Sequence, residues 1–291
     1  VAGIIQQQRR LQLPLWILYI DLSTFFPRLP REGVAVVELL HGLPEEVVEL
    51  SALIYGEATS RDDVVKCQYD SEAGLGAPFA NYMGALMGCV LSPDKAKLFL
   101  NTVVVAISLV CRGVRIRGHG EDEMEETWRR IAQVMFADDW CGTFSSEDDL
   151  RKAWEVWSTW SIVSGSKLGV KRLAKTVVTG VRYVNGQAVS QLDPKLPLPG
   201  GGFVPFMRHD EAYKHLGVSR RADGSDACAW KAVLRKFDAA LARLKKLRAP
   251  SVSEFILVSN ALICGLASYY FQTLYITFEQ AEVIETKWRR I

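Results

Sequence analysis

Phe136-Ala137-Asp138-Asp139-Trp140 sets two adjacent acids between apolar arms, Ile131-Ala132-Gln133-Val134-Met135 before them and Cys141-Gly142-Thr143-Phe144 after. Both arms are rich in strand formers, so the stretch predicts a β-hairpin with the two acids at its tip. Neighbouring carboxylates repel, and holding them together at a tight turn is costly unless a cation is expected there. Asp is also favoured in ordinary solvated turns. This stretch alone leaves both readings open.

A second acid far upstream favours the cation. Trp16-Ile17-Leu18-Tyr19-Ile20 is an uninterrupted apolar run that reads as a buried strand ending on Asp21. An acid at the end of a buried strand, brought beside an acidic hairpin tip, completes a carboxylate cage for two divalent ions roughly 3.5–4 Å apart. That is the equipment of in-line nucleotidyl transfer.

Five stretches in this order resemble the successive palm motifs of reverse transcriptases: Asp21 with Phe26; Gly88-Cys89-Val90-Leu91-Ser92-Pro93; Phe136-Ala137-Asp138-Asp139; Lys175-Thr176; and Tyr213-Lys214-His215-Leu216-Gly217-Val218. Five ordered matches are far more specific than any one short motif. Phe-Ala-Asp-Asp and the basic tail are most similar to the non-LTR (LINE-type) retrotransposon branch.

The resemblance implies an α+β fold, a right-hand polymerase palm in which an antiparallel sheet is backed by helices. The palm is expected over residues 1–220, with part of the fingers at about 27–85, and a helical thumb over 221–291. The implied activity is that of an RNA-directed DNA polymerase, adding dNTPs to a DNA primer 3′-hydroxyl on an RNA template. Two Mg²⁺ ions would be held by Asp21 and Asp138, with Asp139 assisting. Leu22, Phe26, Gly88 and Ser92 are assigned to the nucleotide, and Phe26 acts as a steric gate against a ribose 2′-hydroxyl. Lys175, with Lys171 and Lys167 as rivals, would neutralise the triphosphate and protonate pyrophosphate. His215, Leu216 and Gly217 correspond to the primer grip. Met87 departs from the family, which usually has Gln there. That departure keeps a decayed or domesticated RNA-binding protein open as an alternative, beside a group II intron-type maturase and a viral RNA-directed RNA polymerase. Phe26 and Ala137 argue against the last.

The remaining stretches fit a two-part chain of 291 residues, long enough to bury a full core. The net charge of +2 does not by itself announce a nucleic-acid partner, so the distribution of charge matters more. From Trp230 to Arg248, Leu234, Phe237, Leu241 and Leu244 form a helical stripe, while Lys231, Arg235, Lys236, Arg243, Lys245 and Lys246 lie largely off it. Such a basic face suits a phosphate backbone. Six cysteines without a Cys-x-x-Cys pair support neither a zinc knuckle nor a disulfide framework. They indicate a reducing, intracellular setting, the nucleus for a eukaryotic retroelement. No membrane is expected, the longest apolar runs, around Leu98 to Val110 and Phe255 to Leu266, being too short or interrupted.

Other local signals are plain. Val34 to Leu40 and Pro44 to Tyr55 read as helices, 61–79 as a ribbon and loop, and Val114 to Arg117 as a strand. Ser92 reads as the N-cap of a helix running to about Val110, and the acidic run Glu121 to Glu126 as a solvated loop or helix start. Ser146 with Asp149 opens a helix whose stripe is Leu150, Trp154, Trp157 and Ser161. His215 reads as a surface residue of a short strand, and one helix is expected from Ser251 onward. Val1 is not a starting Met, so the chain reads as a piece of a longer polypeptide with fingers and an endonuclease elsewhere. Lacking the family's basic fingers strands, the piece alone is expected to extend primers poorly.

Overall fold

The computed structural model describes all residues except 55–65, 68–69, 72–73, 76–78, 81–83, 85–90, 120–125, 137, 171–174, 248–250, 275 and 291. In chain order the elements are α1 (Ala2–Leu11), β1 (Leu15–Ile20), the single-turn α2 (Phe25–Arg28), α3 (Arg31–Leu40), α4 (Glu45–Ile54), the two-residue strands β2 (Lys66–Cys67), β3 (Asp70–Ser71), β4 (Gly74–Leu75) and β5 (Phe79–Ala80), and α5 (Ser92–Val110). Then come β6 (Val114–His119), β7 (Glu126–Ile131), β8 (Gln133–Phe136), β9 (Asp139–Phe144), α6 (Glu147–Val163), β10 (Val177–Val184), β11 (Gln187–Ser190), β12 (Phe206–Met207), β13 (Tyr213–His215) and β14 (Val218–Arg220). The chain ends in α7 (Ala227–Lys246), α8 (Val252–Ser259), a π-helical turn Asn260–Cys264, α9 (Gly265–Thr273) and α10 (Phe278–Arg289). Helices and antiparallel strand pairs together make an α+β protein.

Two compact units divide the chain: Trp16–Val178 with Asp193–Met207, and Val1–Leu15 with Thr179–Leu192 and Arg208–Ile291. The first fifteen residues and the β13–β14 hairpin cluster with the C-terminal helices.

In the first unit β1 pairs antiparallel with β9, Ile20 opposite Trp140, and β9 pairs antiparallel with β8. All six residues of β1 are buried, as its uninterrupted apolar run requires. Helices α5 and α6 and the Val34 side of α3 supply the core beside Trp16, Leu18 and Ile20. The α6 stripe is buried at Leu150, Trp154, Trp157 and Ser161, and Ser146 caps the helix by accepting from the Asp149 N–H at 3.2 Å. Trp140, Trp157 and Trp160 interlock edge to face at centroid distances of 5.3 and 5.4 Å, so these rings are packing residues. The ribbon expected over 61–79 is present as the short pairs β2–β5 and β3–β4.

Gly142 makes room for this packing. A Cβ there would lie 2.3 Å from the Trp140 ring and 2.6 Å from the Phe144 ring, two buried side chains on the same strand face. Gly142→Ala is expected to cost about 1–3 kcal/mol by overpacking. Urea denaturation at constant slope measures it, and an unchanged midpoint would refute it.

The second unit packs Val233, Phe237, Leu241 and Leu244 of α7 against Ile263, Tyr270 and Ile284. The single helix expected from Ser251 breaks after Thr273, and Thr277 starts α10 through a reciprocal capping box with Gln280. At α1, Gln6 and Arg9 donate to the carbonyl of Gly224 at 2.8 and 3.0 Å. One expectation is corrected: the π turn joins α8 to α9, so Val252–Phe271 is a continuous 20-residue stretch long and apolar enough to cross a membrane. The apolar run Phe255 to Leu266 covers only part of it.

Candidate active site

Asp21 follows the last residue of β1, and its surroundings come from a segment some 150 residues later in the chain. Leu22 bridges to Leu168, the Ser23 N–H donates to the Lys167 carbonyl at 2.8 Å, and the Gly169 N–H donates to the Asp21 carbonyl at 2.8 Å. The buried Thr176 hydroxyl lies 3.2 Å from both the amide nitrogen and the carbonyl oxygen of Asp21. The backbone of Asp21 is thus held on both sides. Its carboxylate, 14% exposed, accepts from Lys175 Nζ at 2.8 Å, a hydrogen bond that raises the lysine pKa and keeps it protonated.

Register decides what the two hairpin acids do. Phe136 pairs with Asp139 and Met135 with Trp140, so Asp139 already belongs to the strand pair. Asp138 occupies the turn, while Asp139 is the first residue of β9; the expectation that both acids sit at the tip is corrected accordingly. Burial of Trp140 in the core fixes this register, because a shift by one residue would turn that ring to the other face. The Asp139 carboxyl is pushed above the usual carboxylate range, first by burial and then by the charges of Asp138 and Asp21, with Lys175 opposing.

Asp21, Asp138, Phe26, Lys167, Gly169 and Lys175 line one open cleft of ≈ 1040 Å³. Phe25 and Phe26 have parted roles: Phe25 is 3% exposed in the core, and Phe26 packs against it edge-on at 5.9 Å while lining the cleft. Leu22 also borders the cleft, with its side chain buried. Ser92 is the first residue of α5 and buried; the cap position belongs to Leu91, so the expected Ser92 cap is corrected. Gly88, Met87 and Lys171 lie outside the described residues.

Among the described residues no three Asp, Glu, His or Cys side chains form a ready-made metal cluster. The donor chemistry still suits a hard cation. Burial, and after it the charges of Asp138 and Asp21, hold the Asp139 carboxyl above its usual range, and an ammonium already sits against Asp21.

His215, Leu216 and Gly217 belong to the other unit. The expected single strand is a hairpin, with Leu216 and Gly217 in its turn at φ 48° and 78°. His215 is buried, not on the surface, and burial together with nearby Arg220 pushes its pKa down to about 4. A histidine kept neutral in the fold contributes stability above its unfolded pKa, and that contribution is lost as pH falls towards the folded value. Between about pH 6.5 and 4 the chain is expected to lose up to ~3 kcal/mol that His215→Gln does not lose. Parallel pH–stability curves for the two would refute this.

Lys231, Arg235, Lys236, Arg243, Lys245 and Lys246 are all exposed on α7. Lys236 also contacts the Tyr270 hydroxyl, with its ammonium 5.2 Å from the ring centre. Sequence reasoning assigned no part to Gly169 or Thr176. A glycine and a threonine near a lysine carry no signal until the fold brings Asp21 to them.

Comparison with protein-family profiles and with curated protein sequences found no match. Among solved structures the chain is similar to apo telomerase from Candida tropicalis, at 11% identity and a TM-score of 0.49 over 91% of this chain and 39% of that one. It is also similar to telomerase from Candida albicans with a TWJ fragment of telomeric RNA, at 11% identity and a TM-score of 0.41 over 98% of this chain and 43% of that one. The chain therefore spans about two fifths of those chains' lengths. Likenesses this distant do not carry the functional reading.

Proposed function

We propose that the chain is a template-directed nucleotidyltransferase. Within that class the reading is an RNA-directed DNA polymerase of the non-LTR retrotransposon type, taking an RNA template, a DNA primer and dNTPs. The observation that supports it most is that Asp21, at the end of a buried strand, and Asp138, at a hairpin turn, border one cleft together with Phe26 and Lys175. Five motifs in palm order add to it.

In this reading Asp21 and Asp138, with Asp139 beside them, would hold two Mg²⁺ ions. Bound there, the ions would supply Lewis-acid activation of the primer hydroxyl and neutralise phosphate charge. The protein's own groups do the rest. Lys175, largely exposed and protonated, can turn from Asp21 to a phosphate oxygen and deliver its proton to the departing pyrophosphate. Phe26 places a ring on the cleft wall where a sugar would lie, and the exposed cations of α7 hold the nucleic-acid backbone.

Primer extension on an RNA template tests this. The chain is expected to prefer dNTPs over NTPs, and Phe26→Val to shift the preference towards NTPs roughly ten-fold or more. NTP preference by the unsubstituted chain would support an RNA polymerase instead. RNA binding without any extension even by a longer polypeptide that includes the fingers would support the RNA-binding alternative.

A further inference from the structure

The hairpin of β6 and β7 takes no part in the reading above. It is paired Val114 to Ile131, Arg115 to Arg130, Ile116 to Arg129 and Arg117 to Trp128. Paired residues and those two apart share a face, so Arg115, Arg130 and Arg117 lie on one side, all exposed, while the fully buried Val114 anchors the other. Two arginines directly opposite each other repel. The run joining the strands is acidic (Glu121, Asp122, Glu123, Glu125), and Arg129 lies on the opposite face from these three arginines.

At the base of the hairpin a polar cleft of ≈ 630 Å³ is bordered by Arg112, Arg130 and Lys152. Its two acids are engaged. Asp149 accepts from the Arg112 N–H at 3.1 Å, and Asp148 pairs with Lys152 at 2.6 Å. Ser145, which also borders this cleft, follows β9 directly, six residues beyond Asp139. At the rise of an extended strand that is about 20 Å from the candidate catalytic acids.

We infer that Arg112, Arg115, Arg117, Arg130 and Lys152 form a second nucleic-acid surface that grips the phosphate backbone of RNA, separate from both the catalytic cleft and α7. Guanidinium groups suit phosphate because their forked donors match two oxygens at once. Side chains two apart on a strand recur at about 6.8 Å, a repeat that can follow successive phosphates of an extended chain. The surface is a positioning one, with no part in the chemical step.

The inference goes beyond the polymerase reading and is tested without polymerisation, by equilibrium binding of a fluorescein-labelled mixed-sequence single-stranded RNA in the absence of Mg²⁺ and dNTP. Replacing Arg115, Arg117 and Arg130 by Ala is expected to lower affinity roughly ten-fold and to flatten the plot of log K against log salt by about 2, the release from three phosphates. Charge-retaining Lys at the three positions is expected to restore most of that slope. The thermal midpoint of the Ala variant, measured alongside, must stay near that of the parent; if the triple variant unfolds, Arg115→Ala and Arg117→Ala are read singly. Unchanged RNA affinity and slope overturn the inference, as does loss of binding to polyglutamate with RNA binding intact, which would assign the face to an acidic protein.

Discussion

Asp138→Asn is expected to lower primer extension by about a thousand-fold while leaving RNA affinity within two-fold of the unsubstituted chain, a change of roughly 4 kcal/mol in the barrier. Asn has nearly the same shape, keeps one acceptor oxygen and suits a turn as well as Asp does. Folding therefore has little reason to suffer, and Trp140 continues to hold the hairpin register from the core. What is lost is one negative charge from the cleft that Asp138 shares with Asp21. Removing that charge also relieves Asp139, whose carboxyl is pushed up partly by Asp138, so its pKa should move back down. The comparison is run at one pH, near neutrality, with binding and extension measured on the same preparation. An Asp138→Asn chain that extends at the parental rate would sink the catalytic assignment of the cleft. A variant that loses RNA binding and extension together would place Asp138 in nucleic-acid binding and leave its catalytic role unsupported.

The chain states its fold most clearly where the cause is local. The β1 strand is visible because six consecutive apolar residues need burial on both faces, and α6 because a cap residue precedes a stripe of helical period. The hairpin was visible from its two arms, yet the allotment of Asp138 to the turn and Asp139 to the strand was not. That depends on register, which the packing of Trp140 against Trp157 decides. The burial of His215 was hidden for a similar reason, since a three-residue strand does not say what covers it. Nor does an apolar run announce that it continues through a π turn, so Val252–Phe271 is longer than the run Phe255 to Leu266 suggests.

The site was legible in its acids and largely illegible in what braces them. Asp21 and Asp138 can be named from their places, one ending an apolar run and one between strand arms, whereas Phe26 and Lys175 are named only by the resemblance to the palm motifs. Gly169 and Thr176 act through contacts spanning about 150 residues of sequence, and only the folded chain shows them. Bracing of this sort has a measurable consequence.

Gly169→Ala is expected to slow primer extension about a hundred-fold with little change in the thermal midpoint. A Cβ at position 169 would stand 2.4 Å from Asp21 Oδ2, closer than real Cβ contacts allow, and tightly at 3.2 Å from the Asp21 carbonyl oxygen and 3.3 Å from its Cγ. One side has to move. The glycine segment is tied at both edges, its N–H donating to the Asp21 carbonyl at 2.8 Å and its carbonyl accepting from the N–H groups of Lys175 and Thr176 at 3.2 and 3.1 Å. The Asp21 carboxylate, held by a side-chain hydrogen bond from an exposed lysine, is the softer partner and is expected to rotate. A misplacement of about 1 Å at a reacting centre can cost a hundred-fold in rate, whereas rotating one cleft-facing carboxyl leaves the core untouched. Weakened Mn²⁺ affinity, followed by water-proton relaxation, separates displacement of Asp21 from a general loss of structure, since a merely loosened fold would lower the thermal midpoint first. Thr176→Ser keeps the hydroxyl that touches the Asp21 backbone and is expected to stay near the parental rate, while Thr176→Val removes it and should fall with Gly169→Ala. Parental rate and Mn²⁺ affinity in Gly169→Ala would mean that the glycine segment yields instead, and that Asp21 is not positioned by it.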